Sequence, residues 1–200
     1  MNLDPEFLVQ SDTDLAGLYR PPSTLVIRKV MNYLDADFQR IIAAAPLVLL
    51  ATHGETGVDC SPRGDPGQAA FVDDPHTLVL PDRPGNNRID SIRNILHDPQ
   101  VGLLFLVPGV NEGFRVNGVA RLTRDPAVLE RYAYLGRPPV TLIVVEVHEA
   151  FLHCARALLR SDIWNLERRS GPVLPNFAQM LSQQVQAAVR DQDLAVEDDR

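Results

Sequence analysis

Short apolar runs separated by turn residues dominate the chain, and this pattern predicts a protein built mainly from β-strands. The clearest case is the segment 114–123, in which apolar and polar side chains alternate. One face carries Phe114, Val116, Gly118, Ala120 and Leu122, and the opposite face carries Arg115, Asn117, Val119, Arg121 and Thr123. A period of two residues is typical of a strand with one buried face. Further strands are predicted at 47–52, 58–62, 69–72, 77–80, 101–107 and 141–151.

Two stretches have instead the three-to-four-residue spacing of an amphipathic helix. The first begins at the candidate N-cap Asp35 and ends at Pro46. Its predicted buried face consists of Phe38, Ile41, Ile42 and Ala45. The second begins near Asn87 and stops before Pro99, because the residue that precedes a proline resists helical geometry. Its predicted buried face consists of Ile89, Ile92, Ile95 and Leu96.

The order of these elements indicates the fold class. Shorter helical segments are predicted after Pro126 and at 155–159, and a helix at 175–190 precedes the acidic tail 191–200. Six or seven strands in hairpin succession, with helices at the edges, favour a small β-barrel. A doubly wound parallel sheet would need a helix after nearly every strand. We therefore expect a mainly β protein with peripheral helices, of the α+β class.

Composition and charge limit the range of functions. A length of 200 residues corresponds to one domain with a substantial core. The 26 acidic residues exceed the 19 basic ones, which gives a net charge of -7. This charge disfavours nonspecific binding to nucleic acid or to anionic membranes. The N-terminal residues 1–14 contain acids where a secretion signal needs a basic and then an apolar stretch. A cytoplasmic location is predicted.

The cysteines and histidines give no sign of a metal site. Cys60 and Cys154 are the only cysteines, and in an intracellular chain they are expected to be reduced. Five histidines are scattered along the chain, and the adjacent pair His153 and Cys154 does not match a structural zinc spacing. Neither thiol belongs to a CxxC motif or lies beside a pair of histidines that would indicate catalysis. We predict no metal, and we assign no catalytic residue.

One stretch, PDRPGNNRIDSIRNIL at 81–96, combines features that suit a phosphate group. A helix that begins here exposes unpaired backbone N–H groups and the positive end of its dipole. Gly85 lets the backbone approach a ligand, and either Asn86 or Asn87 is a candidate cap. Arg83 and Arg88 are able to form charge-assisted bonds to phosphoryl oxygens. The alternative is a capped surface helix whose arginines are solvated.

Four motifs in order give the stretch its context: CSPRGDPG at 60–67, LVLPDRPGNNR at 78–88, FRVNGVARLT at 114–123 and HCARALLRSDIW at 153–164. Together they resemble the pyridoxamine 5′-phosphate oxidase-like family of FMN-binding split barrels, and within it a subgroup of uncharacterised flavin-nucleotide proteins. The resemblance implies an antiparallel split β-barrel of Greek-key type over residues 25–165. Residues 1–24 would form an N-terminal arm, and residues 166–200 a C-terminal helix and acidic tail.

The resemblance also implies site residues. The loop that would hold the FMN phosphate consists of Pro81, Asp82, Arg83, Pro84, Gly85, Asn86, Asn87 and Arg88. Arg88 occupies the position of the family's phosphate-binding lysine, and Asn87 that of its arginine, with Arg83 a candidate substitute. Ser61 and Arg63 would assist. Arg115 lies on a strand that faces the flavin or the dimer partner in the family, and the residues that would approach the flavin ring are Arg160, Ser161 and Trp164.

The function implied is that of an FMN-dependent oxidoreductase that works as a homodimer with flavin at the subunit interface. Its small-molecule substrate or reductant is not indicated, and the family's substrate-binding Arg-x-His signature is not recognisable. Two other classes remain open: a flavin-binding or electron-transfer protein without turnover, and a haem-binding or haem-degrading split barrel with His148 or His153 as ligand. An enzyme that uses a deazaflavin is a further alternative.

Overall fold

The computed structural model describes residues 1–55, 57–165, 167 and 179–186. The chain divides into two compact units, Met1–Ser161 and Asp162–Arg200. The described strands of the first unit are β1 (Leu47–Gly54), β2 (Gly57–Gly64), β3 (Phe71–Asp74), β4 (Thr77–Asp82), β5 (Gln100–Leu106), β6 (Phe114–Thr123) and β7 (Thr141–Leu152). Its α-helices are α1 (Asp12–Leu18), α2 (Thr24–Arg28), α3 (Ala36–Ala43), α4 (Asp90–His97), α5 (Pro126–Glu130) and α6 (Arg156–Ser161), and Pro5–Phe7 form one 3₁₀ turn.

The seven strands form a single sheet in the order β2-β1-β5-β6-β7-β4-β3. Every pairing in it is antiparallel. The β3–β4 hairpin lies beyond β7, so that β2 and β3, which are consecutive in sequence, lie at opposite ends of the sheet, and β1 pairs with β2 on one side and with β5 on the other. The prediction of an antiparallel, mainly β split barrel with peripheral helices is therefore confirmed.

The alternation predicted for β6 is present in the structure. Phe114, Val116 and Ala120 are buried in the main core, and they pack with buried residues of β1, β5 and β7. The pairing of β6 with β7 shifts its register between Asn117 and Gly118. A Cβ atom at Gly118 would lie 2.0 Å from the carbonyl oxygen of Glu146, so this position requires glycine.

The helix α3 also follows the prediction, whereas β3 is displaced. Asp35 caps α3 by accepting hydrogen bonds from the N–H groups of Asp37 and Phe38. The strand predicted at 69–72 begins two residues later, at Phe71. The reason is that Ala69 donates its N–H to the carbonyl of Ala45 at 2.9 Å, and this bond holds the segment before β3 against the end of α3.

The helix α4 differs from its prediction in both start and orientation. It begins at Asp90 rather than near Asn87. Its buried residues are Ser91, Asn94 and Ile95, whereas Leu96, predicted to be buried, is 71% exposed. Two polar residues occupy the buried face because both have partners in the sheet: the amide of Asn94, for example, donates to the hydroxyl of Thr52 at 3.0 Å.

Close packing holds α4 against β1. A Cβ atom at Gly54 would lie 2.1 Å from Oδ1 and 3.3 Å from Cα of Asn94, so glycine is what allows the helix to approach the strand. The start of α4 is thereby fixed over the β1–β2 hairpin.

The N-terminal segment has few buried groups. Helices α1 and α2 contain no buried residue. The segment joins the sheet through Met31, which exchanges backbone hydrogen bonds with Ala150, and through Lys29, whose ammonium donates to the carbonyl of Leu152 at 2.5 Å. The division into an arm at 1–24 and a barrel at 25–165 stays a prediction.

The second unit is described only in part. Residues 179–186 are helical and lie inside the helix predicted at 175–190. The remainder of that predicted helix and the acidic tail 191–200 lie outside the described residues. Among the helices of the described ranges, none has the length and apolar character that a membrane span requires.

Candidate functional site

A cleft of about 360 Å³ lies where β2, the end of β4 and the start of α4 meet. This volume is at the lower end of the range for small-ligand pockets. Its described lining consists of Asp59, Ser61, Pro62, Arg63, Asp82, Arg83, Pro84, Gly85, Asn86, Asn87, Arg88, Ile89, Asp90, Ser91 and Val140. Seven of the residues predicted to bind FMN are in this set: Ser61, Arg63, Asp82, Arg83, Asn86, Asn87 and Arg88.

One wall of the cleft is the polar side of β2. Asp59, Ser61 and Arg63 alternate along the strand, so that their side chains lie on one face. Ser91, from the first turn of α4, is only 2% exposed and bonds to two of them. Its hydroxyl donates to Oδ2 of Asp59 at 2.8 Å and lies 2.9 Å from the hydroxyl of Ser61. Hydrogen bonds among Asp59, Ser91 and Ser61 therefore join β2 to α4 at the cleft.

The opposite wall is formed at the end of β4, where two arginines are ion-paired. Arg63 reaches across from β2 to Asp82, and both side chains are largely buried. Arg83 pairs with Asp65, with Nη2 and Oδ2 2.6 Å apart. Arg83 also donates from Nη1 to the carbonyl of Tyr132 at 2.9 Å. These bonds fix both guanidinium groups in position.

The third arginine, Arg88, is more accessible. Its side chain is 80% exposed and pairs with Asp90. The neighbouring Asp90, and at longer range Asp59, raise the pKa of Arg88 above its ordinary value, so the guanidinium stays charged. An exposed pair of this kind contributes little to stability. Arg88 can therefore exchange Asp90 for a ligand anion at small cost.

The N-terminus of α4 is open toward this cleft. The predicted capping by Asn86 or Asn87 is wrong: the N-cap is Ile89, and no side chain caps the helix. The oxygen Oδ1 of Asn86 accepts instead from the N–H of Arg88 at 3.1 Å. Asn87 and Ile89 have positive φ angles of 59° and 50°. For the β-branched Ile89 this left-handed conformation is strained, and such strain concentrates at functional sites.

The donors present fit a phosphate group. The Nε atom of Arg63 is buried and finds no acceptor within the described part of the chain, although its Nη1 bonds to Asp82. A buried donor without a partner is costly, so an acceptor at this point would be stabilising. The uncapped N–H groups of α4 add donors on the other side of the cleft.

The charge of the cleft is balanced. Its three arginines are matched by three carboxylates, those of Asp59, Asp82 and Asp90. Asp82 and Asp90 are ion-paired, whereas Asp59 forms no salt bridge among the described residues and bonds to Ser91. An anion that enters this cleft would meet a carboxylate as well as the guanidinium groups.

The other predicted FMN-binding residues lie elsewhere. Pro81 is buried within β4, where it pairs with Leu142. Arg160 and Ser161 are exposed on α6 and bond to carbonyls of their own helix, those of Arg156 and Leu158. Trp164 belongs to the second unit and is half-buried there.

Arg115 is part of a separate basic cluster at the start of β6 and the end of β7. Its guanidinium lies 4.6 Å from the centre of the Phe151 ring, and its Nε is buried without an acceptor in the described chain. The ammonium of Lys29 lies 5.3 Å from the same ring centre. Burial, and then the charges of Arg115 and Lys29, lower the pKa of His153 below its ordinary value. A neutral imidazole is therefore favoured at this position.

Sequence patterns alone did not identify Asp59 and Ser91 as residues of the cleft. Asp59 could have been found from the alternation of polar residues that includes Ser61 and Arg63. Ser91 lies at the i, i+3 and i+4 spacing with Asn94 and Ile95, which is the spacing of a buried helical face. A search limited to apolar residues misses such a face.

The thiols and the acidic side chains form no further site in the described structure. Cys60 and Cys154 are both free and exposed, so neither packs as a buried apolar residue. His148 is exposed on β7, with its Nε2 3.5 Å from a carboxyl oxygen of Glu146. Over the described ranges, no group of three or more His, Cys, Asp or Glu side chains is able to hold a metal ion.

The fold and the cleft together define a split-barrel domain whose pocket, between β2 and β4, has donors that suit an anion. Residues 34–154, more than half of the chain, match the model of the pyridoxamine 5′-phosphate oxidase family. The chain belongs to this family. No curated protein matches the chain.

Several solved structures resemble the chain at low sequence identity. HupZ from Group A Streptococcus is 17% identical with a TM-score of 0.48, over 59% of this chain and 92% of that chain. General stress protein 26 from Bacillus anthracis is 16% identical with a TM-score of 0.44, over 56% and 88% of the two chains. An FMN-binding protein from Syntrophomonas wolfei is 12% identical with a TM-score of 0.44, over 57% and 81%. The family assignment rests on the match over residues 34–154.

Proposed function

We propose that the cleft binds the phosphate of FMN and that the protein is an FMN-dependent oxidoreductase. The observation that carries the proposal is the convergence of Arg63, Arg83 and Arg88 with the uncapped start of α4 on one small cleft. Positive side chains and free backbone N–H groups are the donors that phosphate binding uses. Membership of the pyridoxamine 5′-phosphate oxidase family supports the choice of a flavin nucleotide.

Each donor has a distinct part in this proposal. The buried Nε of Arg63 supplies a fixed donor that has no acceptor among the described residues. Arg88 turns from Asp90 to the phosphate, which its exposure allows. Arg83, bonded to Asp65 and Tyr132, contributes its charge without moving. The open backbone at Gly85, where no described atom lies within 4 Å of a Cβ position, leaves room for the ligand.

The redox chemistry would come from the cofactor. When bound, FMN supplies a ring that accepts and donates electrons or hydride, while the protein binds and orients it. The resemblance to the family implies a cytoplasmic homodimer with flavin at the interface and a small-molecule substrate or reductant. On this proposal Arg115 lies on the strand that faces the flavin or the dimer partner. Arg160, Ser161 and Trp164 belong to the segment that approaches the flavin ring in the family.

A second candidate is a flavin-binding protein without turnover. It is favoured by the character of the cleft, since the described lining includes no histidine, cysteine, lysine or tyrosine. The carboxylates that line it are each hydrogen-bonded to an arginine or a serine. The described lining therefore offers only carboxylates and hydroxyls for proton transfer.

The test begins with the absorbance spectrum of the purified protein and the mass of any compound released on denaturation. We then titrate the protein with FMN and with riboflavin, which lacks the phosphate. The proposal expects FMN to bind at least tenfold more tightly, the effect of one charge-assisted hydrogen bond of about 1.5–3 kcal/mol. Equal affinity for the two compounds would overturn the assignment of the phosphate to this cleft.

Two further measurements separate the candidates. Bleaching of bound FMN by a nicotinamide or deazaflavin donor supports the enzyme, and its absence with both donors supports the non-catalytic binder. Light scattering should give a mass twice that of the 22.2 kDa chain. A monomer that binds FMN fully would contradict only the proposal that the flavin lies at a homodimer interface.

A further inference from the structure

The hydroxyl chain between Asp59, Ser91 and Ser61 has a defined direction. The hydroxyl of Ser91 donates to the carboxylate of Asp59. A serine hydroxyl has one hydrogen and two acceptor lone pairs. Since Ser91 has given its hydrogen to Asp59, the 2.9 Å contact with Ser61 must have Ser61 as the donor. Ser61 then presents to the cleft only lone pairs.

This direction conflicts with a phosphate dianion, whose oxygens are all acceptors. An acceptor facing an acceptor forms no hydrogen bond, and the ionised Asp59 adds a like charge in the same cleft. If Ser61 turned its single hydrogen to a dianion, the 2.9 Å contact between Ser61 and Ser91 would be left without a hydrogen, whereas one added proton keeps every contact hydrogen-bonded. If the proton is on Asp59, the carboxyl donates to Ser91, Ser91 donates to Ser61, and Ser61 donates to the phosphate. If it is on the phosphate, the P–OH group donates to Ser61 and the chain keeps its direction.

We propose that Asp59 and Ser91 are positioning residues that make phosphate binding at Ser61 depend on one proton, through the hydroxyl chain Asp59–Ser91–Ser61. This inference rests on the proposed function, because it concerns the same cleft and the FMN phosphate. In both arrangements the complex holds one proton more than the phosphate dianion and the ionised carboxylate. The cleft thus binds a phosphate monoester either as its monoanion or with uptake of one proton.

Among the described residues of the cleft, Asp59 is the carboxylate without an arginine partner. From the paired strand β1, its cross-strand neighbour is the uncharged Thr52, which bonds to Asn94. The charged groups that face it across the cleft, from β2, β4, the following loop and α4, are Arg63, Asp82, Arg83, Arg88 and Asp90. Asp82 and Asp90 are each paired with an arginine of the cleft. Asp59 is bonded instead to a hydroxyl.

The test is the pH dependence of FMN affinity between pH 5.5 and 8.5. The second pKa of a phosphate monoester is about 6. Above that value one proton must be taken up, so the Kd of the wild-type protein should rise up to tenfold per pH unit. Calorimetric titrations at pH 7.5, in two buffers of different ionisation enthalpy, should give an uptake close to one proton. This measurement needs no variant.

Asp59→Asn is the decisive substitution. An asparagine amide donates a hydrogen bond to Ser91 without taking up a proton. The hydroxyls of Ser91 and Ser61 then donate toward the phosphate at every pH. The variant should lose the rise of Kd by up to tenfold per pH unit. At pH 8 it should bind FMN about tenfold or more tightly than the wild type. Ser91→Ala interrupts the chain and should also remove the slope. Asp90→Asn is the matched control, because it removes a carboxylate of the same cleft outside the chain and should keep the slope.

The outcomes separate this inference from the proposed function. If the wild-type protein binds no FMN at any pH, the proposed function fails. If it binds FMN more tightly than riboflavin but with constant Kd and no proton uptake, only the hydroxyl chain is refuted. An Asp59→Asn variant that keeps the wild-type slope also refutes it.

Discussion

Arg63 and Asp82 form an ion pair that joins the two ends of the seven-stranded sheet. Arg63 lies on β2, the end strand, and Asp82 lies on β4, the second strand from the opposite end. Their side chains are only 22% and 14% exposed. The curled sheet is thus linked at this point by side chains, and the wall of the cleft is formed where its ends meet.

This pair should matter for stability. Asp82→Asn leaves the Arg63 charge largely buried without its counter-charge, and we expect a loss of about 1.5–3 kcal/mol in the free energy of unfolding. Urea denaturation measures it. Asp37→Asn is the control, because the Arg40–Asp37 pair is 80% exposed on both sides and should contribute less than about 0.5 kcal/mol. Equal losses in the two variants would contradict the role of Arg63 and Asp82.

Arg88 should control affinity for the FMN phosphate rather than stability. Arg88→Ala removes one charge-assisted bond, so we expect FMN affinity to fall about tenfold or more. The thermal midpoint should stay near that of the wild type, because the side chain is 80% exposed. Fluorescence titration with FMN provides the measurement. Arg93 is an exposed arginine of α4 outside the cleft lining, so Arg93→Ala should bind FMN as the wild type does.

Gly54 should be intolerant of any side chain. Gly54→Ala places a methyl group 2.1 Å from Oδ1 of the buried Asn94, so α4 or the Asn94–Thr52 hydrogen bond must shift. We expect a loss of about 1–3 kcal/mol. In Gly17→Ala the new methyl group meets no described atom within 4 Å, and alanine favours a helix by about 0.5–1 kcal/mol. Thermal unfolding of both variants checks this, and a neutral Gly54→Ala would mean that α4 is not held so closely.

His153 should make the protein less stable in acid. Burial and the charges of Arg115 and Lys29 lower its pKa in the folded state below the ordinary value of 6.5. Between these two values the unfolded chain binds more protons, so the stabilisation present above pH 6.5 is lost as pH falls through the folded-state pKa. His153→Gln should flatten the decline of unfolding free energy between pH 7 and 5. His148→Gln, which replaces an exposed histidine of β7, should keep the wild-type decline, and equal declines in all three proteins would refute the effect.

The sequence predicted the strands best where packing follows a simple period. In β6 the alternation gave the buried side because the two faces differ in polarity at nearly every position. The helix α4 was harder, since its buried face contains Ser91 and Asn94, which are buried only because Ser61, Asp59 and Thr52 supply partners. Partners that lie 30 or more residues away leave no periodic signal in the sequence.

The sequence predicted several residues of the candidate site, but it did not predict how their side chains are arranged. Arg83 and Arg88 were identified by their residue type and neighbours, and Arg63 by the family resemblance. Their pairing with Asp82, Asp65 and Asp90 depends on how the sheet curls, and this could not be deduced from local spacing. The cap was mispredicted because an asparagine near a helix start is usually a cap, whereas here the chain takes a left-handed turn at Asn87 and Ile89 before the helix begins.

The position of β2 has a consequence for motion. It is an end strand, bonded in the described sheet to β1 alone, and it supplies Asp59, Ser61 and Arg63. Backbone amides of end strands open locally with less free energy than those of central strands. A molecule bound between β2 and α4 would therefore slow deuterium incorporation in β2 far more than in β5, β6 and β7. Hydrogen exchange would thus report directly whether the cleft is occupied.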